Sequence, residues 1–128
     1  MVEHRRSPLN SIIAMKSVKL ESPAKINLML SVHGQRDDGL HALTSVVAPL
    51  IFGDTLIVSL NEAGVDRLNC SDSAVPKGLA NLIMKAAVAF REELGENIFF
   101  DFDLNKRVPM GAGLGGGSSN AAVALCAM

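Results

Sequence analysis

The sequence predicts an α+β domain, with strands in its first half and two helices separated by one further strand in its second half. Three observations lead to this prediction. Apolar and polar residues alternate from Ser22, the apolar spacing becomes helical after Pro76, and a second apolar helix follows the glycine-rich turn around Gly113. With 128 residues and 48% hydrophobic content, the chain is at most one domain and is long enough to bury a core.

The first patterned segment is a predicted strand with one apolar and one polar face. The apolar face carries Ile26, Leu28, Leu30 and Val32, and the polar face carries Lys25, Asn27, Met29, Ser31 and His33. Lys25 and Asn27 are neighbours on the polar face, so they could meet a ligand together; a solvated strand edge is the alternative. The polar turn that follows contains an Asp-Gly pair and leads into His41, which by itself indicates only a local hydrogen bond.

The middle of the chain is predicted to contain short strands and loops. Two strands are expected at residues 46–51 and 56–60, with Gly53 and Asp54 forming a turn between them. Pro49 lacks an N–H group, so it requires a sheet edge or a bulge. The polar segment 61–75 is expected to be a loop with one short strand at residues 67–70.

A helix is predicted from the spacing of apolar residues between Leu79 and Leu94. Pro76 suits its first turn and Gly95 its C-terminal stop, while Asn81 is expected in the first turn with a local backbone hydrogen bond. The next strand has one strongly apolar face. That face carries Ile98, Phe100, Phe102 and Leu104, which alternate with Phe99, Asp101 and Asp103.

The most informative stretch has five glycines in seven residues, from Gly111 to Gly117. Such a turn can be approached closely, its N–H groups can form an anion-binding nest, and a helix beginning at Ser118 would add unpaired N–H groups. Phosphate is therefore the expected ligand. The dinucleotide fingerprint lacks its later acidic residue, the P-loop motif lacks its Lys-Ser or Lys-Thr pair, and a flexible loop without a ligand is the alternative.

Composition argues against several functional classes. The net charge is −1, the basic residues are scattered and Tyr and Trp are absent, so a nucleic-acid-binding module is not expected. The apolar runs are too short to span a membrane. Cys70 and Cys126 lie far apart without metal-binding spacing, which indicates reduced cytosolic thiols, and no protein metal ligand is predicted.

Three stretches together resemble the 4-diphosphocytidyl-2-C-methyl-D-erythritol kinases, a family in the superfamily of galactokinase, homoserine kinase, mevalonate kinase and phosphomevalonate kinase. These stretches are Ser-Pro-Ala-Lys-Ile-Asn-Leu at 22–28, Asp-Gly-Leu-His at 38–41, and 109–120 with the following two alanines. The resemblance implies the N-terminal domain of a two-domain α+β kinase fold, similar to a domain of ribosomal protein S5. It implies ATP-dependent phosphorylation, with Mg²⁺, of the 2-hydroxyl of 4-diphosphocytidyl-2-C-methyl-D-erythritol in non-mevalonate isoprenoid biosynthesis.

The resemblance also implies roles for particular residues. Lys25 would be the catalytic lysine, Asn27 would hold the substrate and His41 would bind the cytosine edge, with a small molecule as the partner and neither nucleic acid nor membrane. Lys106 would lie near the nucleotide, and Ser118 or Ser119 would contact phosphate or its Mg²⁺. The residues expected to wrap the ATP phosphates are Pro109, Met110, Gly111, Ala112, Gly113, Leu114, Gly115, Gly116, Gly117, Ser118 and Ser119.

The sequence departs from the family pattern in two places. Leu40 stands where the family has an aromatic residue beside the cytosine-binding histidine, so altered cytidine selectivity is expected. The family's catalytic aspartate would lie beyond Met128, so the 128-residue chain alone is expected to bind nucleotide without turnover. The alternatives are another small-molecule kinase of the superfamily or a non-catalytic nucleotide-binding module.

The two ends of the chain carry separate expectations. Residues 1–21 are expected to be an N-terminal extension without fixed structure, and residues 22–128 an incomplete ATP-binding kinase domain. The location would be cytoplasmic, or plastid if the extension is a transit segment. Residues 121–128 form an apolar helix without a C-cap, suited to burial on both sides, so the chain is expected to stop inside a helix and to dimerise or aggregate there.

Overall fold

The computed structural model describes residues 17–128. Its elements, in chain order, are β1 (Ser17–Gln35), β2 (His41–Asn61), β3 (Arg67–Cys70), α1 (Leu82–Leu94), β4 (Phe99–Asn105) and α2 (Gly116–Ala127). The strands form one sheet in the order β1-β2-β4-β3, in which β1 and β4 run antiparallel to β2 and β3 runs parallel to β4. The α+β prediction is confirmed.

The core lies between the sheet and the two helices. Alternate residues of β4, Phe100, Phe102 and Leu104, are buried against helix residues that include Ile83 and Ala124. This is the apolar face that the alternation predicted. The aromatic rings of Phe100 and Phe102 lie 5.9 Å apart, so β4 places the bulkiest side chains in the centre of the domain.

A two-stranded ribbon extends from one end of the sheet. It consists of residues 25–35 of β1 and 41–49 of β2, which pair with each other, whereas β4 reaches only the segment Thr55–Asn61 of β2. Its apolar side chains are open to solvent among the described residues; Leu28 is 64% exposed and Val32 62%. The apolar face predicted for β1 therefore does not contribute to the core of residues 17–128.

The predicted turn at Gly53 and Asp54 is wrong, because β2 continues through both residues as one strand. Gly53 is paired with Pro23 of β1, and a Cβ atom at Gly53 would collide with the backbone of Ser22. The glycine allows a close approach of two strands instead of a reversal of the chain. Pro49 lies on the ribbon, where β2 has an open edge as expected, next to the register shift after Pro23.

The segments between β2 and β4 largely follow the predictions. The strand at residues 67–70 is confirmed with the predicted bounds. Helix α1 begins at Leu82, later than expected, and Asn81 is its N-cap: the side chain accepts a hydrogen bond from the Ile83 N–H at 2.9 Å. Pro76 lies outside the first turn because its carbonyl instead accepts from the Asn81 side chain, whereas Gly95 ends the helix in the left-handed region as predicted.

Helix α2 begins at Gly116, two residues before the predicted start, because Gly115 is its N-cap. Its burial is one-sided in the described structure: Asn120 and Ala124 are buried, whereas Leu125 is 47% exposed. The expected dimerisation through residues 121–128 stays a prediction. No helix of the described part is long and apolar enough to cross a membrane.

The boundary of the expected N-terminal extension differs from the structure. Residues 17–21 already belong to β1, where they pair with residues 55–59 of β2. The pairing includes Leu20 with Leu56, a core residue, which explains why the strand begins before the Ser-Pro-Ala-Lys motif. Residues 1–16 of the predicted extension lie outside the described residues.

Candidate active site

The glycine-rich turn lines a cleft of about 410 Å³. Gly111, Gly113 and Gly115 have φ angles of 70°, 73° and 69°, the left-handed region in which other residues are strained. The opposite wall of the cleft is built by residues before and at the start of α1, which the sequence did not predict as site residues. These residues are Val75, Pro76, Ala80, Asn81 and Leu82.

The N-terminus of α2 opens into this cleft. The first backbone hydrogen bond of the helix runs from the Ser119 N–H to the Gly115 carbonyl at 2.9 Å. The N–H groups of Gly116, Gly117 and Ser118 precede it and so have no partner within the helix. All three residues line the cleft, and this combination of free N–H groups and helix dipole favours an anion such as phosphate.

Lys25 lies across the turn. Its backbone N–H donates to the Leu114 carbonyl at 2.8 Å, and its side-chain Nζ donates to the Gly113 carbonyl at 2.8 Å and to Asn27 Oδ1 at 2.6 Å. The predicted neighbours Lys25 and Asn27 are therefore in direct contact. Both acceptors of Nζ are neutral, so these contacts leave the positive charge of Lys25 uncompensated beside the turn.

The Asn27 amide is held by a second contact. Its Nδ2 donates to Ser45 Oγ at 2.6 Å, and Ser45 Oγ donates in turn to the Met29 carbonyl at 2.8 Å. This chain of bonds directs Oδ1 of Asn27 towards Lys25. Ser45 lies on the neighbouring strand β2 and was not among the predicted site residues, because cross-strand register is not visible in the sequence.

His41 is separate from these residues. It opens β2 and pairs with Gln35 at the far end of the ribbon, eight residues along the strand from Pro49, the partner of Lys25. In a straight strand that separation is roughly 26 Å. The structure therefore places His41 on the same ribbon as Lys25 and Asn27 without bringing it into contact with them.

A buried polar cluster centred on Asp54 lies beneath the glycine-rich turn. Asp54 was predicted to form a turn with Gly53, but it lies within strand β2. Lys106 Nζ lies 2.6 Å from Asp54 Oδ2, and the two side chains are 6% and 0% exposed. Oδ1 of Asp54 accepts from the backbone N–H groups of Arg107 and Val108 at 2.6 and 2.7 Å, and Oδ2 also accepts from Asn120 Nδ2 at 2.9 Å. Lys106, which is predicted to lie near the nucleotide, thus has its charge neutralised by Asp54.

The cluster changes the pKa of Asp54. Burial would by itself raise the pKa of this carboxyl, because it penalises the charged form. The hydrogen bonds from Lys106, from the Val108 and Arg107 N–H groups and from Asn120 outweigh that effect and hold the pKa below its ordinary value. Asp54 is therefore ionised in the folded domain.

The structure distinguishes the two serines at the start of α2. Ser118 is exposed and lines the cleft. Ser119 is turned into the domain, where its Oγ accepts a hydrogen bond from Ser22 Oγ at 3.0 Å, and Ser22 Oγ itself accepts from Asn120 Nδ2 at 2.8 Å. Of this pair, Ser118 is the serine that lines the cleft.

The described residues offer few ligands for a metal ion. No group of three or more His, Cys, Asp or Glu side chains is close enough together in residues 17–128 to hold one. Asp54, the carboxylate under the turn, is fully buried and bonded to Lys106. Ser118, which lines the cleft, would be the serine available to help hold a Mg²⁺ ion together with a bound phosphate.

Comparison with known proteins identifies the class to which this site belongs. Residues 81–128, which contain α1, β4, the glycine-rich turn and α2, match the GHMP kinases N terminal domain. This part of the chain is therefore similar to the N-terminal domain of these kinases. A crystal structure of homoserine kinase from Cytophaga hutchinsonii has the same fold, with a TM-score of 0.63 over 88% of this chain and 34% of that chain at 22% identity.

The chain is also similar to 4-diphosphocytidyl-2-C-methyl-D-erythritol kinases. It is 45% identical over 123 residues to the enzyme of Protochlamydia amoebophila, covering 96% of this chain and 42% of the relative. The chloroplastic enzyme of Arabidopsis thaliana is 47% identical over 114 residues, covering 88% of this chain and 30% of the relative. A crystal structure of 4-(cytidine 5'-diphospho)-2C-methyl-D-erythritol kinase aligns at 38% identity with a TM-score of 0.68, over 85% of this chain and 38% of that chain.

Proposed function

We propose that this chain supplies the ATP-binding and catalytic-lysine half of a kinase that phosphorylates the 2-hydroxyl of 4-diphosphocytidyl-2-C-methyl-D-erythritol. The observation that carries the proposal is the contact of Lys25 Nζ with the Gly113 carbonyl, which joins the Ser-Pro-Ala-Lys-Ile-Asn-Leu motif at 22–28 to the glycine-rich turn. The names of the relatives support the substrate, although the chain spans only 30–42% of the length of the two curated relatives described above.

The turn and the start of α2 would bind the ATP phosphates. Residues 109–118 surround the cleft, and the N–H groups of Gly116, Gly117 and Ser118 have no helical partner. Phosphoryl transfer requires positioning and neutralisation of charge on the transferring oxygens, and N–H groups at a helix N-terminus provide both. Mg²⁺, when bound between the phosphates, would supply further neutralisation of the same oxygens.

Lys25 would act on the acceptor hydroxyl. Its ammonium group has neutral hydrogen-bond partners, Asn27 and the Gly113 carbonyl, and so remains a free positive charge next to the turn. A positive charge beside a hydroxyl favours its deprotonated form and so assists attack on phosphorus. Asn27 would hold the substrate, and Ser45 would fix its orientation.

The substrate would lie along the ribbon. His41 is at the far end of the ribbon from Lys25, so a cytidine-diphosphate-linked substrate would have to bind in an extended form, with the base near His41 and the alcohol near Lys25. Leu40 beside His41 is 65% exposed and would provide an apolar contact for the base in place of an aromatic stack.

Calorimetric titration of the 128-residue chain with ADP tests the binding part of the proposal. Submillimolar affinity is expected, because the turn is already in its left-handed conformation without a ligand. Absence of binding at millimolar ADP would reject the nucleotide site.

A chimera tests the reaction. Residues 17–128 would replace the matching segment of the Protochlamydia relative, and the product would be assayed with ATP and a panel of alcohols. Phosphorylation that requires the cytidine-linked substrate supports the proposal. The shared fold with homoserine kinase makes another small-molecule kinase the second candidate, and transfer to homoserine without cytidine dependence would favour it. We further propose a cytoplasmic location, or a plastid location if the residues before Ser17 are a transit segment.

A further inference from the structure

Asp54 has more polar contacts than any proposed ligand-binding residue described above. Four donors converge on its carboxylate: Lys106 Nζ, the N–H groups of Arg107 and Val108, and Asn120 Nδ2. These donors come from both ends of the phosphate-binding turn, since residues 106–108 lead into it and Asn120 lies in the first turns of α2 that follow it. One carboxylate on β2 therefore connects the entry and the exit of the turn to the sheet.

The surroundings of Asp54 leave little freedom for these donors. The carboxylate is fully buried, Val108 is fully buried and Asn120 is 3% exposed. A Cβ atom at Gly116 would lie 2.8 Å from Lys106 Nζ and 2.9 Å from Val108 Cγ1, so the first residue of α2 packs directly on the cluster. A displacement of Lys106 or Val108 would therefore be transmitted to the N–H groups at the start of α2.

We propose that Asp54 is a positioning residue for the phosphate-binding turn, which fixes the N-terminus of α2 and neutralises Lys106 so that the uncompensated charge facing the ligand is that of Lys25. This inference rests on the proposed nucleotide site. Asp54 itself does not touch the ligand, because it lies beneath the turn with no exposed surface. The alternative is that the cluster has no role in the turn, and that removal of Asp54 merely destabilises the fold by leaving Lys106 as an unpaired buried charge.

A second buried carboxylate provides a matched control. Asp66, in a side chain that is 6% exposed, pairs with Arg91 at 2.6 Å and accepts from the Phe100 N–H at 2.9 Å. Its described hydrogen bonds are to Arg91 and Phe100, neither of which lines the cleft. Asp66→Asn should lower stability as Asp54→Asn does, because each removes the counter-ion of a buried or partly buried cation.

The experiment compares amide hydrogen exchange and ADP affinity in the wild-type chain, Asp54→Asn and Asp66→Asn. In Asp54→Asn, the bonded N–H groups at the two ends of the turn, those of Arg107, Val108 and Ser119, should exchange at least tenfold faster than the change in global stability explains, and ADP should bind at least tenfold more weakly. In Asp66→Asn, the exchange of these three groups should change only in parallel with global stability, with wild-type ADP affinity.

A double variant keeps the proposal testable if Asp54→Asn fails to fold. Asp54→Asn combined with Lys106→Met removes both buried charges, so it should fold while still lacking the positioning carboxylate. Wild-type exchange of the Arg107, Val108 and Ser119 N–H groups in either folded variant would overturn the proposal, as would wild-type ADP affinity. If the wild-type chain itself does not bind ADP, the proposed nucleotide site fails, and the exchange data alone then decide the role of Asp54.

Discussion

Lys25 crosses directly over Gly115, so that a Cβ atom at Gly115 would lie 2.9 Å from Lys25 Cγ and 3.0 Å from its Cε. A Cβ atom at the next glycine, Gly116, would likewise lie 2.8 Å from Nζ of the second lysine, Lys106, beneath the turn. Two adjacent glycines at the start of α2 therefore make room for one lysine each. The glycine motif therefore packs directly against Lys25 of β1 and Lys106 after β4. The turn needs glycine at these positions because a side chain would collide with the lysines, in addition to the backbone conformation that glycine allows.

The first prediction concerns these glycines. Gly116→Ala should destabilise the domain by about 1–3 kcal/mol, because the new methyl group meets both Lys106 Nζ and the buried Val108. Gly117→Ala is the matched change one residue later, where the nearest atom to an added Cβ is Leu82 Cδ1 at 3.9 Å. It should stabilise the helix by about 0.4–1 kcal/mol. Denaturant unfolding measures both, and equal effects would contradict the packing argument.

Gly115→Ala should act on both the backbone and Lys25. Its φ of 69° costs an alanine about 1–2 kcal/mol, and the methyl group displaces the lysine side chain from the Gly113 carbonyl. Unfolding measurements give the stability loss, and the chemical shift of the Lys25 Nζ protons at low temperature reports the displacement. An unchanged Lys25 environment would show that the side chain is not confined by Gly115.

Replacement of Lys25 should separate chemistry from nucleotide binding. In the chimera, Lys25→Met is expected to reduce kcat at least about 100-fold, because the charge beside the acceptor hydroxyl is lost. ADP affinity of the 128-residue chain should change by less than about fivefold, as for other partly exposed charges. Lys19→Met, on the same strand but outside the cleft, is the control and should leave both unchanged. Undiminished turnover in Lys25→Met would remove this residue from the catalytic role.

The stability of the domain should depend on Asp54 at acid pH. The pKa of this carboxyl is lowered in the folded state, so the unfolded chain binds the proton more readily. The contribution of Asp54 is therefore fully present above the ordinary aspartate pKa of about 3.9 and is lost as the pH falls below it towards the lower folded value. Unfolding free energies from pH 7 to pH 3 should fall more steeply for the wild type than for Asp54→Asn. Parallel curves would show that another group dominates.

The Leu40 position should control cytidine selectivity. Leu40→Tyr in the chimera restores the aromatic residue of the family pattern, and a stacking contact of about 0.5–1.5 kcal/mol should lower KM for the cytidine-linked substrate roughly two- to tenfold. His41→Ala should raise the same KM while leaving KM for ATP unchanged. Leu43→Tyr, three residues later in β2 and also exposed, is the control for a general effect of tyrosine on the ribbon. An equal gain from both tyrosines would contradict the assignment of the base to Leu40 and His41.

Short-range patterns in the sequence were sufficient to predict much of the fold. The alternation of β4, the strand at residues 67–70, the Asn81 hydrogen bond and the stop at Gly95 are all confirmed, because each depends on neighbours within a few residues. The glycine spacing likewise predicted a close-approach turn, and its three left-handed residues are found there. Predictions failed where a distant segment decides the outcome. Gly53 was interpreted as a turn because glycine and aspartate are turn formers, whereas here the opposite strand at Ser22 requires the glycine.

By itself, the sequence determined the α+β class, the glycine-rich close-approach turn and the resemblance to a kinase family, since these depend on short-range periodicity and on the absence of side chains at defined positions. Only the tertiary structure decided which of the two lysine charges near the turn is neutralised by a carboxylate. Lys106 and Lys25 are equivalent cations in the sequence, yet Lys106 is neutralised by Asp54, 52 residues earlier, while Lys25 is bonded to neutral oxygens. Strand register and burial set that difference, because both depend on contacts between segments far apart in the chain.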